Sequence, residues 1–290
     1  MDEMVLQKDY RNDDKLRASF NELAKKTFAL DFEDWYQNGY WTHKYNPYSM
    51  VKDGKVIANV SVNLADYLWN GRRWKLLQLG TVMTDEAYRN RGLIRQIMEE
   101  IEKDYSESVD GMFLFANDSV LDFYPKFGFQ KANEYAYVKD VTNTQDVSIE
   151  HASMENKNQW DVLEKYMEEC APYSDFEPVG YSELFLFYVT KFMQDAVFYD
   201  KEQNAYVIAE VDESQLILHG VFAKKECDLD KLIASFGKEI KQVKLTFTPI
   251  QKEGYQVFSH KEEDCTLFVK GMGLEDFEKR AVRFPELGHA

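Results

Sequence analysis

Leu79-Gly80-Thr81-Val82-Met83-Thr84-Asp85-Glu86-Ala87-Tyr88-Arg89-Asn90-Arg91-Gly92-Leu93-Ile94-Arg95 reads as a strand, a short polar turn and the start of a helix. Leu93, Ile94, Ile97, Met98 and Ile101 recur at helical spacing over 90–104, with charges on the other face. A helix N-terminus carries unpaired N–H groups and about half a positive charge. A glycine there lets an anion reach the backbone without a Cβ in the way. Arg89, Arg91 and Arg95 add positive charge in an otherwise acidic chain. The combination suits a phosphate or pyrophosphate. Neither a Walker A loop nor a dinucleotide-binding glycine fingerprint is present.

Upstream, helical spacing over 14–30 places Leu16, Phe20, Leu23, Ala24, Thr27 and Phe28 on one face, with Asn12 or Asp13 as cap. The aromatic run from Trp35 to Tyr48 reads as a loop, either lining a pocket or tucked onto the core. Strands follow at 48–51, 55–64 and 73–84, separated by the turn dipeptides Asp53-Gly54 and Asn70-Gly71. Downstream come a buried strand at 111–117, a short helix at 120–127 stopped by Gly128, and one last strand at 130–138.

Here the sequence resembles the GNAT superfamily of acetyl-CoA-dependent N-acyltransferases. Its central motif is Gln or Arg, two residues, Gly, one residue, then Gly or Ala. Arg89-Asn90-Arg91-Gly92-Leu93-Ile94 matches except at Ile94. A second match is Asn117, then Phe123-Tyr124, then Phe127-Gly128-Phe129, at the family's separation. Taken singly, the first is also an ordinary exposed helix start and Tyr124 an ordinary core edge. The resemblance covers roughly residues 1–140, one domain's length. It implies that pantetheine lies in a splay between two parallel strands and pairs with backbone near Val82, Met83 and Thr84. It further implies that the pyrophosphate sits over Arg89, Asn90, Arg91, Gly92, Leu93 and Ile94, with Asn117 and Tyr124 beside the cofactor. Tyr124 becomes the proton donor to the departing thiolate. A backbone N–H near Val82 or Met83 would polarise the thioester carbonyl. Asp85, Glu86 and His43 are candidates for the base by position only, and each also reads as a solvated surface residue.

After a polar linker at 139–150, the order of elements repeats: helices at 159–170 and 182–194, strands at 205–211 and 215–222, a helix at 228–236, a strand at 242–248, and a closing hairpin from 255–259 and 265–270. Gly80-Thr81-Val82-Met83-Thr84 has a faint echo in Gly220-Val221-Phe222-Ala223-Lys224. The counterpart of 89–94 is Cys227-Asp228-Leu229-Asp230-Lys231-Leu232, which has no glycine and two aspartates. No tyrosine matches Tyr124. The expected fold class is α/β (α+β): tandem GNAT-like domains, each a mixed, mostly antiparallel sheet flanked by helices. Residues 1–140 form the acetyl-CoA-binding domain, and 141–290 a degenerate one.

The length of 290 residues fits two domains, and 15% aromatics supply real cores. Net charge of −16 argues against nucleic acid and tilts the acceptor slightly toward a small cationic amine, although a solvated acidic surface is the stronger reading of the charge itself. Cys170, Cys227 and Cys265 are far apart and form no metal-binding spacing. The acidic start and the lack of a long apolar run point to a cytoplasmic protein with no membrane partner. The functional expectation is an N-acetyltransferase acting by direct attack of a primary amine on acetyl-CoA, with a homodimer among the assemblies left open. The alternative is a non-catalytic acyl-CoA-binding or partner-recruiting module.

Overall fold

Asp13 accepts hydrogen bonds from the N–H groups of Lys15 and Leu16, and so starts the first helix where the sequence places a cap. The structure is a computed structural model and describes residues 4–271 and 276–289. Its first stretch runs β1 (Met4–Lys8), α1 (Asp14–Phe28), α2 (Glu33–Gln37), β2 (Tyr45–Lys52), β3 (Lys55–Trp69) and β4 (Arg72–Thr84). Then come α3 (Leu93–Tyr105), β5 (Gly111–Ala116), β6 (Gln130–Lys131), β7 (Glu134–Asp140) and β8 (Glu150–His151). The rest is α4 (Lys157–Glu169), β9 (Phe176–Val179), α5 (Ser182–Phe192), β10 (Val197–Asp200), β11 (Ala205–Asp212) and β12 (Gln215–Ala223). It ends with α6 (Leu229–Ser235), β13 (Gln242–Leu245), β14 (Gln256–His260) and β15 (Thr266–Gly271).

Two mixed sheets result. The first has the order β1-β2-β3-β4-β5-β15-β6, with β9 on β3; the second is β14-β7-β13-β12-β11-β10-β8. In each, one pair is parallel, β4 with β5 and β12 with β13, and every other pair is antiparallel. The expected fold class stands. α3 buries Leu93, Ile97, Met98 and Ile101 on one face of the first sheet. α1 and the aromatic run cover the other face, where Phe32 stacks on Phe187 of α5 at 5.0 Å. Trp35, Tyr40, Trp41 and Tyr45 are buried there, so the run is core.

Three expectations are corrected. Residues 130–138 are not one strand. β6 pairs with β15 in the first sheet, whereas β7 lies between β13 and β14 in the second. At the crossing, Glu278 accepts from the N–H and side-chain amide of Asn133, at 2.9 and 3.0 Å. Nor do 255–259 and 265–270 form a hairpin, because β14 stays in the second sheet and β15 crosses to the first. Each sheet takes a strand from the other half of the chain, so the sheets do not divide at residue 140. Alternation along a strand tells which face is buried, not which sheet the strand joins. Finally, 120–127 is not a helix but two 3-10 turns, Asp118–Val120 and Tyr124–Phe127, with Pro125 interrupting and Gly128 at φ +84° ending the second.

Candidate active site

β4 and β5 pair in parallel only from Leu76↔Gly111 to Leu79↔Leu114. Beyond that they part. β4 carries a bulge opposite β3: Asn59 faces Met83 and Ser61 faces Gly80, leaving Thr81 and Val82 opposite Val60 alone. Thr81 takes φ +48°, a costly conformation for a β-branched residue. A buried polar network holds it. Tyr10 donates to Ser49 at 2.7 Å, and Ser49 to Asn59 at 2.8 Å. Asn59 then donates to Ser61 at 3.0 Å and to the Thr81 carbonyl at 2.9 Å. Tyr45 bonds the Thr81 hydroxyl at 2.8 Å. Replacing Asn59 by Leu strands Ser49, Ser61 and the Thr81 carbonyl in the core. Urea denaturation is expected to show a loss of about 3 kcal/mol, from the cost of unpaired buried polar groups. A loss below about 1 kcal/mol would mean that the bulge does not depend on the network.

The parted strands open a cleft lined by Thr81, which the sequence reading did not name as a site residue, and by Val82, Met83, Thr84, Arg89, Asn90, Ile94, Asn117 and Tyr124, which it did. Arg91, Gly92 and Leu93 are not in its wall. Arg91 donates to the Ala87 carbonyl at 2.8 Å and lies over the Tyr88 ring at 5.0 Å. Leu93 points into the core. Gly92 caps α3 at φ +73° with no side-chain bond, so the first amides of α3 stay uncapped beside the cleft. Asn90 is also left-handed, at φ +61°. Ile94 is half-buried on the inner side, and its bulk leaves the opening of the cleft intact.

Tyr124 is nearly fully buried among Phe123, Phe129 and Phe268, with ring centroids 5.3, 6.3 and 5.7 Å away. Its hydroxyl has no hydrogen bond among the described residues. Burial pushes the phenol up to about 12, so it stays protonated at neutral pH. Phe268 belongs to β15, so the second half of the chain helps seat this side chain.

None of the three positional base candidates lines the cleft. Asp85 accepts from the Ala87 N–H and pairs with Lys26, both at 3.0 Å, which holds its carboxyl below the usual range. Glu86 and His43 are exposed. No carboxylate or imidazole is among the lining residues. The sequence reading missed Thr27, Phe28 and Leu30 at the end of α1, and Phe115 on β5, which also line the cleft. It missed Asp264 as well, which accepts from the Asn117 amide at 2.8 Å and the Asp118 N–H at 2.6 Å. Asp264 stands 147 residues from Asn117, and no local pattern marks it.

The second sheet repeats the geometry with a narrower gap. β12 and β13 pair in parallel up to Leu218↔Leu245, and β12 bulges at His219. The chain itself narrows the gap, leaving a pocket smaller than the cleft of the first sheet, lined by Ala171, Tyr173, Val221, Ala223, Phe247 and Pro249. The Ala171 N–H donates to the Ala223 carbonyl at 2.7 Å, and Asp175 N–H to Thr248 at 2.8 Å. Tyr173 sits between Phe222 and Phe247, with ring centroids 5.6 and 4.9 Å away. Asp228 caps α6 from the side chain, accepting from Lys231, and so occupies the helix end that α3 leaves free.

A splayed parallel pair, a bulged central strand and an uncapped helix N-terminus are together the features that the sequence resemblance led one to expect. The family model described as "Acetyltransferase (GNAT) domain" matches residues 13–132, and this segment is similar to a domain of that family. No curated protein matches the sequence. Among solved structures, the fold is similar to a conserved protein of unknown function from Enterococcus faecalis. That match has 13% identity and a TM-score of 0.60, over 95% of this chain and 74% of that one. A GCN5-related N-acetyltransferase from Kribbella flavida is similar at 15% identity and TM-score 0.54, over 92% of this chain and 71% of that one. Eis1 from Mycobacterium abscessus is similar at 13% and 0.54, over 91% and 73%. At such identities the likeness is one of fold. No helix among the described residues is long and apolar enough to cross a membrane.

Proposed function

We propose that this protein is an acetyl-CoA-dependent N-acetyltransferase with one working site, in the cleft between β4 and β5, and a small cationic amine as acceptor. The observation that carries the reading is the cleft running from the uncapped end of α3 to Tyr124 across the Thr81–Val82 bulge. The pyrophosphate is held by the amides of 93–95 and the arginines around them. The thioester then lies along Val82, Met83 and Thr84, with a freed amide N–H as oxyanion donor. The amine nitrogen attacks the thioester carbon, the C–S bond breaks, and Tyr124 gives its proton to sulfur. The proton lost by the attacking nitrogen restores the phenol. The net charge of −16 supports a cationic acceptor.

The reading predicts a pH profile. With no base in the cleft wall, the acceptor must react as the neutral amine. For a lysine-like amine of pKa about 10.4, the neutral fraction rises about tenfold per pH unit below that value. Accordingly kcat/KM, measured at saturating acetyl-CoA, rises with that slope from neutral pH upward. A plateau beginning near neutrality would show that a protein base had been overlooked.

Thiol release from acetyl-CoA over polyamines, aminoglycosides and amino acids tests the function itself. Turnover with a cationic amine supports it. Tight CoA binding with no turnover on any amine would favour a non-catalytic acyl-CoA-binding module, which the bare cleft wall also suits. The narrowed second gap and the helix end capped by Asp228, read as a degenerate repeat, predict one CoA per chain. Calorimetric titration giving two would reopen the second site.

A further inference from the structure

The link from β14 to β15 turns sharply, and Glu262 and Cys265 form an isolated antiparallel bridge across it. This places the two side chains together three residues apart. A third residue joins them from the far end of the chain. His289 follows the 3-10 turn Glu286–Gly288, and its ring stacks on Phe115 with centroids 3.6 Å apart. Its N–H donates to the Glu286 carbonyl at 3.2 Å, and its own carbonyl accepts from the Tyr188 hydroxyl. The ring is thus fixed on both sides. Its Nε2 is buried and has no hydrogen-bond partner among the described residues.

We propose that Glu262, Cys265 and His289 are ligands of a divalent transition-metal ion, zinc by their chemistry. One ligand atom from each lies within 4.8 Å of the others. Tetrahedral zinc with bonds of about 2.0–2.3 Å sets its ligand atoms about 3.5 Å apart, so side-chain rotation of little more than about 1 Å closes the site. Thiolate and imidazole together select zinc or cobalt over magnesium or calcium, which take sets of oxygen ligands. The unpartnered Nε2 is the lone-pair donor such an ion requires. Glu134, buried with one unpaired carboxylate oxygen, lies near Cys265, and burial raises its carboxyl to about 7. The nearby cation, Arg283, is paired with Glu286 at 3.2 Å. Three protein ligands leave a fourth position for water.

The ion's role follows from its place. It ties the strand crossing between the two sheets to the end of β5. Asp264, between the two link ligands, is the residue that holds Asn117 and Asp118 at the edge of the cleft. The site is therefore a structural staple and takes no part in acyl transfer.

The test uses the full chain, stripped of metal by chelator and titrated with zinc chloride, then with cobalt chloride. Expected are one ion per chain and a near-ultraviolet thiolate-to-cobalt band. The band disappears in Cys265→Ala and persists in Cys170→Ala and Cys227→Ala. Losing even a partner behind a metal ligand costs about 10–100-fold in affinity, so losing the thiolate lowers zinc affinity at least about a hundredfold. Circular dichroism reports whether Cys265→Ala folds. If it does not, His289→Gln, which keeps the size and polarity of the side chain, decides by the same loss of affinity. Wild-type zinc binding no tighter than that of Cys265→Ala, or of a folded His289→Gln, overturns the proposal. So does a cobalt band that Cys227→Ala abolishes instead.

Discussion

Tyr124→Phe is expected to lower kcat by about 10²–10⁴-fold and to leave CoA affinity nearly unchanged, because the proposed general acid acts after binding. The ring packs against Phe123, Phe129 and Phe268, and phenylalanine keeps those contacts. The hydroxyl has no partner among the described residues, so its removal strands nothing. Stability is therefore expected to hold or rise slightly, and this separates a chemical role from a packing role. A donor held near pKa 12 is a weak acid beside a thiol of about 8.5. Transfer to a free thiolate would be uphill. The proton therefore moves as the C–S bond breaks, while the nitrogen's proton is on offer to the phenolate. Turnover of the variant on an accepted amine, with chemistry limiting, gives the answer. Equal kcat would leave Tyr124 a packing residue.

The parts of the fold that depend on local chemistry were legible. Asp53-Gly54 and Asn70-Gly71 turn where they stand, with Asp53 and Asn70 left-handed as such turns require. Leu93, Ile97, Met98 and Ile101 alternate with charge at helical spacing, and they are the buried face of α3. The uncapped glycine at its start was equally readable, because a left-handed residue before a helix narrows the choice to few residue types. What the sequence hid depends on distance. β7 and β15 carry ordinary strand alternation, and only the assembled core decides that each joins the other half's sheet. Short elements escaped as well. β9 has four residues including Pro178, and it survives as an edge strand on β3. In the site, the arginine–glycine turn and Tyr124 sit in local patterns. Phe28, Leu30 and Phe115 look like any core residue until the strands part beside them. Asp228 and Asp230 marked the second half as lacking the anion-binding helix start, and Asp228 does cap α6. The segment 171–173 that narrows the gap carried no such mark, because it lies about fifty residues before the strand end it borders and its partners are backbone groups.

Gly92→Asp is expected to weaken CoA binding by at least about tenfold, or about 1.4 kcal/mol, while the protein stays folded. Gly92 stands at φ +73°, where any L residue is strained by about 1–2 kcal/mol. A Cβ built there meets nothing within 4 Å, so the substitution does not clash with the protein itself. The strain is present with and without ligand and cancels in the affinity. What remains is the carboxylate. It stands at a helix end left without a side-chain cap beside the cleft, and there it satisfies the amides that the pyrophosphate would use. It also places a negative charge against the ligand's own. Gly92→Ala separates these effects, since it carries the strain and the Cβ without the charge. Its affinity should fall less than that of Gly92→Asp, and the gap between the two should shrink as salt screens the repulsion. Calorimetry on both variants at low and high ionic strength, with urea melts to report stability, reads each contribution. Wild-type affinity for Gly92→Asp would move the pyrophosphate away from α3 altogether.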